Sequence, residues 1–129
     1  MNDIENLDDI KLVVDTFYGS IREDELLKGI FNNIIGDKWP QHLEKMYRFW
    51  QTVLLDEHTY QGSPFPPHAK MDLQWLHFER WLLLFGATVD GLFTGNRADR
   101  AKLQAKKMAE MFNYKIDYYR NNPSSIPLA

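Results

Sequence analysis

The sequence predicts an all-α fold, and three observations carry that reading. Apolar residues recur at helical spacing through most of the 129 residues. No stretch alternates apolar and polar residues over the length of a strand, and no internal repeat is visible. The prolines are confined to positions 40, 64, 66, 67, 123 and 127, where they punctuate the periodic runs instead of interrupting them. The length suits one core, so 1–129 reads as a single domain with 122–129 as a flexible tail.

The first helix is expected from about Leu7 to Arg22. Val14, Phe17, Tyr18 and Ile21 stand at i, i+3, i+4 and i+7, the stripe of a buried face. A buried Tyr18 must find a partner for its hydroxyl. The residues alone leave it open between a core tyrosine bonded to a backbone carbonyl and a donor aimed into a pocket.

Asp24 is placed to cap a second helix through DELLKGIFNNII, ended by Gly36. Phe31 within it reads, by itself, as ordinary packing. Asp37 reads as the cap of a third helix, with Pro40 tolerated in its first turn. On one face of that helix fall His42, Met46, Phe49, Trp50 and Val53. The face is apolar except at His42, which alone would be a partly exposed polar residue at a helix start.

Residues 56–67, DEHTYQGSPFPP, form the clearest break in the chain. His58 there reads as solvent-exposed and Tyr60 as packing back on the core. His68 follows two prolines and is stiffly presented, and HAKMDL is expected to make a short helical turn. A longer helix then runs to about Leu92. Trp75, Phe78, Leu82 and Phe85 make its stripe, with Trp81 and Leu84 beside it. His77 is expected on the wet side, near Glu79 and Arg80. Beyond Gly91 and Gly95, Asn96 or Asp99 caps a last helix from about Arg97 to Asn121. Ala101, Ala105, Met108, Phe112, Ile116 and Tyr119 share one face of it.

Composition excludes several functions. Net charge is −3 with no basic block, which argues against nucleic acid. Cysteine is absent, so disulfides, thiolate catalysis and thiolate-bound metals are out, and a reducing compartment fits. The acidic start MNDIENLDDI does not read as a signal peptide, and no apolar run approaches membrane-spanning length. A soluble, cytoplasmic protein is the expectation. The aromatic share of 14% is high, and residues 64–85, PFPPHAKMDLQWLHFERWLLLF, hold more large rings than a packing helix needs. A histidine beside such a run points to a flat, buried cofactor held from one side, with two earlier segments closing over its other face.

Taken in order, these segments resemble the truncated haemoglobins, and within them the third group. The resemblance covers almost the whole chain. It is carried by Phe17-Tyr18, by Ile30-Phe31-Asn32-Asn33 with Ile35-Gly36, and by His42 followed eight residues later by Trp50. TYQGSPFPPH and FERWLLLF complete it. The double-glycine motifs common in the other two groups are missing, which favours the third. The segment AKMDLQWLH departs from some relatives in length and proline content.

The resemblance implies a two-over-two helical sandwich around haem b, iron protoporphyrin IX. His68 carries over as the proximal iron ligand. Tyr18, His42 and Trp81 carry over as the distal, ligand-stabilising set, the positions where any catalysis would centre. Phe31 packs on the haem, and Met46, Trp50, Trp75 and Phe78 are further cofactor contacts. The implied partners are diatomic gases: dioxygen, nitric oxide and carbon monoxide. Nitric oxide dioxygenation would need a reductase, because nothing here resembles a flavin or nicotinamide site. A peroxidase-like reading would have His42 move protons. Without the resemblance, a cofactor-free helical interaction module with the aromatics as plain core is the competing reading.

Overall fold

The computed structural model describes residues 1–60 and 72–122. Among them are five helices: α1 (Leu7–Glu23), α2 (Lys28–Ile35), α3 (Trp39–Leu55), α4 (Trp75–Leu92) and α5 (Asn96–Asn121). No strand occurs among the described residues. Helix α1 packs on α3, and α4 packs on α5. The two pairs meet through α1 on α4 and α3 on α5, two helices over two, and the short α2 rests on α1. No helix among the described residues is long and apolar enough to cross a membrane.

Local chemistry explains the start of α1. The Asn6 side chain accepts the Asp9 N–H at 2.9 Å, Asp8 and Asp9 sit at the positive end of the helix dipole, and Arg22 sits at the negative end.

Helix α2 begins later than the sequence suggests. Asp24 does hold the first N–H groups, but it does so in a turn: its Oδ2 accepts Leu26 N–H and Leu27 N–H, both at 3.1 Å. Its Oδ1 accepts Arg80 of α4 at 2.7 Å. The carboxylate is thus committed to a tertiary joint, and regular helix starts only at Lys28. Burial opposes its ionisation, yet Arg80 and the two backbone donors together hold Asp24 below the usual carboxylate range. Gly36, at φ +58°, ends α2 as expected.

Asp37 is not the cap of α3; Lys38 occupies that position without a side-chain cap bond, and Pro40 lies in the first turn. Beyond α3, Thr59 N–H and Tyr60 N–H bond to Thr52 Oγ1 at 3.2 and 3.0 Å. This folds the chain back, and the Tyr60 ring meets Phe49 edge-on at 5.4 Å.

Residues 72–74 have no regular structure, so the expected HAKMDL turn does not extend into Asp72 and Leu73; its earlier part lies outside the described residues. The expected tail beyond Asn122 lies outside them as well.

Helix α5 is capped from a distance. Neither Asn96 nor Asp99 does it; both lie inside the helix. Asp3 instead accepts Arg97 N–H through Oδ2 at 2.9 Å and Ala98 N–H through Oδ1 at 3.0 Å. Burial opposes this charge too, but the N–H groups of Arg97, Ala98 and Ile4, with the Arg97 charge, bring the Asp3 carboxyl down. Gly95, at φ +138°, makes room: a Cβ there would lie 2.5 Å from Asp3 Cγ.

Candidate functional site

The buried side chains fall into two clusters. The larger joins Ile10, Val13, Val14, Phe17, Tyr18 and Ile21 of α1 to Phe49, Trp50, Phe85, Val89 and Ala101. The smaller comprises Leu73, Phe78, Ala109, Phe112 and Ile116. A chain of this size ordinarily builds one contiguous core. Here a cavity of about 800 Å³, counting its open mouth, is lined from both clusters.

Every helix contributes to the lining: Phe17 and Tyr18 from α1, Phe31 from α2, His42, Met46, Phe49 and Trp50 from α3, His77, Phe78 and Trp81 from α4, and Met108, Ala109 and Phe112 from α5, with Leu27 and Leu73 from the connections. Most of this surface is hydrocarbon or aromatic ring. The polar tips are the Tyr18 hydroxyl, the imidazoles of His42 and His77, and the Trp81 indole.

Three of these tips are held by a ring scaffold. The Tyr18 and His42 rings meet at 5.0 Å and 85°. Trp39 stands beside both, at 5.7 Å from Tyr18 and 5.8 Å from His42. Trp39 is itself fixed: its Nε1 donates to Asn32 Oδ1 at 3.2 Å, and the Arg22 guanidinium lies 4.7 Å from its ring. Phe17 spaces Tyr18 from Trp81, meeting them at 4.9 and 5.3 Å. Trp81 then stacks on Phe85 at 5.7 Å, and Phe85 stacks on Trp50 at 5.1 Å. Burial alone pushes the Tyr18 phenol far above its ordinary pKa. It therefore stays protonated, a donor, at any physiological pH.

The structure brings Tyr18, Phe31, His42, Met46, Trp50, Phe78 and Trp81 to one cavity. It does not bring Trp75 there. Trp75 is the first residue of α4, 38% exposed, and touches Phe78 at 6.3 Å. His68 lies outside the described residues. His77 corrects the expectation of a wet position: it is half-buried in the cavity wall, its Nδ1 accepting Gln74 N–H at 2.9 Å. The Q-x-x-H spacing at a helix start was the available signal for this, a side chain turned back to cap. Trp39 was legible too, one turn before His42 on the same face.

Iron protoporphyrin IX suits these surroundings. Rings and aliphatic side chains match a flat apolar macrocycle, and Tyr18, His42 and Trp81 bring polar groups to the same lining.

No protein-family model matches the chain. It is 30% identical over 118 residues to a group 3 truncated hemoglobin of Campylobacter jejuni, a match spanning 88% of this chain and 93% of the relative. The crystal structure of the group III truncated hemoglobin from the same organism matches with a TM-score of 0.82 at 29% identity, over 90% of this chain and 95% of that one.

Proposed function

The chain belongs to the group III truncated haemoglobins, and from that premise we propose that it binds haem b and, at the haem iron, dioxygen and other diatomic gases. The observation that carries the proposal is one cavity lined from both apolar clusters, with the buried Tyr18 phenol, the His42 imidazole and the Trp81 indole in the same lining. Haem, when bound, supplies an iron with an open coordination position for a small ligand. The chain supplies the rest. Phe31, Met46, Phe49, Trp50 and Phe78 would pack the macrocycle and exclude water. His68 is assigned as the iron ligand by its match to the family's proximal histidine.

Tyr18 and Trp81 would donate hydrogen bonds to a ligand carrying partial negative charge, with His42 as a third donor. Each bond to a charged acceptor is worth roughly 1.5–3 kcal/mol. Two would slow escape on the order of a hundredfold or more, at about 1.4 kcal/mol per factor of ten. A pocket that holds its ligand this firmly suits scavenging, sensing or nitric oxide chemistry better than oxygen delivery. Turnover against nitric oxide would require an external reductase.

Visible spectra of the ferric, ferrous and dioxygen forms test the proposal. A Soret band that develops on adding iron protoporphyrin IX is expected, and His68→Ala should abolish stable uptake or grossly alter the ferrous spectrum. A chain that takes up no porphyrin would overturn the haem assignment. A normal five-coordinate ferrous spectrum in His68→Ala would move the iron ligand elsewhere.

A further inference from the structure

One imidazole on the cavity wall has no part in holding a gas ligand. His77 stands in the first turn of α4, half-buried. Its Nδ1 accepts the Gln74 backbone N–H at 2.9 Å, while the Gln74 side chain accepts the His77 backbone N–H in return. A ring nitrogen that accepts a hydrogen bond carries no proton, so the hydrogen of the neutral ring sits on Nε2. No described residue accepts it.

This tautomer decides what the ring does. A histidine that ligates iron through Nε2 needs that nitrogen bare and its Nδ1–H donated to a carbonyl or carboxylate. Here a backbone donor already occupies Nδ1, and ligation through Nε2 would break the helix cap. With its proton on Nε2, His77 is instead a donor seeking an acceptor. Among the described residues the cavity lining offers it no carboxylate, and the first turn of α4 holds no acidic residue. A porphyrin brings carboxylates of its own. Ionised, they are costly to leave among hydrocarbon walls and need a donor or water.

We propose that His77 is a cofactor-anchoring residue whose Nε2–H binds a propionate carboxylate of the porphyrin at the partly open edge of the cavity. The proposal rests on the haem reading above. Being half-buried, the ring lies where a carboxylate keeps some water while its macrocycle stays dry. The capping box fixes both the tautomer and the position of the ring, so the anchor is set before the porphyrin arrives.

The test uses iron protoporphyrin IX and its dimethyl ester, whose esterified propionates carry no charge. Each is loaded into the wild-type chain and into His77→Phe, and loss to an excess of a haem-scavenging apoprotein is timed from the Soret change. The free-acid porphyrin should leave His77→Phe on the order of tenfold faster than wild type, the scale of one hydrogen bond to a charged acceptor. The ester should leave both chains at one rate. His77→Asn still reaches the Gln74 N–H but falls short of the carboxylate. It should show the same pattern, faster loss of the free-acid porphyrin alone, and it replaces His77→Phe should that variant fail to fold. Equal loss of the free-acid porphyrin from wild type and variant overturns the proposal. So does equal acceleration for both porphyrins, which would make His77 a helix cap only. A lost five-coordinate ferrous spectrum in His77→Phe overturns it in favour of iron ligation. Failure of the wild-type chain to take up either porphyrin would instead sink the haem reading on which the proposal rests.

Discussion

The two walls of the cavity are built on different terms. The wall from the larger cluster is the more complete of the two among the described residues. Phe85 is stacked between Trp50 and Trp81, Phe17 meets both Trp81 and Phe85 edge-on, and Ile10, Val14 and Val89 belong to the same cluster, with a small second cavity between Ile10, Val14, Trp50 and Phe85. The wall from the smaller cluster is thinner among the described residues: Phe78, Phe112 and Ile116 with Leu73 and Ala109. Leu73 continues into the segment that carries His68. Among the described residues the walls thus differ in how far their rings hold one another.

Truncations measure that difference. Phe85→Ala removes a ring with partners on both faces and should cost about 3–5 kcal/mol, with or without porphyrin. Phe112 lines the cavity, where a bound porphyrin would add contacts to its ring. Phe112→Ala should cost more with porphyrin bound than without it, whereas the cost of Phe85→Ala should not depend on the occupant. Urea unfolding of both variants, with and without porphyrin, reads the contrast. A cost for Phe112→Ala that is the same with and without porphyrin would show the two walls to be equivalent. The complete wall also carries the donors. Tyr18→Phe or Trp81→Phe should speed dioxygen dissociation on the order of tenfold to a hundredfold while barely changing stability. Unchanged rates in both would remove the donor argument.

Much of the complete wall was legible because it is made of helical stripes. Phe17, Tyr18, His42, Trp50 and Trp81 each sit at a spacing that names a face, and α1 and α4 end within a residue of where periodicity ends them. What escaped were joints between distant parts of the chain. Asp24 reads locally as a helix cap, and nothing local reveals that its other oxygen belongs to Arg80. Asp3 caps a helix more than ninety residues away. His77 was misplaced for a related reason: a helical wheel sets it beside Glu79 and Arg80, but near a helix start the side chain turns back toward the cap. Trp75 lies on the expected stripe, but as the first residue of α4 it is 38% exposed and stands outside the described lining of the cavity.

The Asp24 joint ties α4 to the Leu27 edge of the cavity, and acid should loosen it. Its folded pKa lies below the unfolded value of about 3.9. Its contribution is therefore complete above that value and is lost as pH falls through the folded pKa. Arg80 is 41% exposed, so water screens the pair, and Asp24→Asn should cost about 1–2 kcal/mol at neutral pH. Unfolding followed from pH 7 toward pH 2 should find the gap between wild type and variant closing below about pH 4. A gap that stayed constant would assign the loss to the backbone bonds of the turn rather than to the charge.

The smallest effect belongs to the joint farthest from the donors. Asp3→Ala removes two bonds at the start of α5 and should cost about 1 kcal/mol, the usual worth of a helix cap. The same sign holds as for Asp24, because the folded pKa of Asp3 is also depressed, so the cost should shrink in acid. Asp3 does not line the cavity. Porphyrin uptake and dioxygen dissociation should therefore be those of the wild-type chain, and only the unfolding midpoint should move. A changed dissociation rate in Asp3→Ala would mean that the start of α5 and the donors of α1 and α4 move together. The self-sufficient wall would then be one mechanical unit with the thinner one, and the contrast between them would fail.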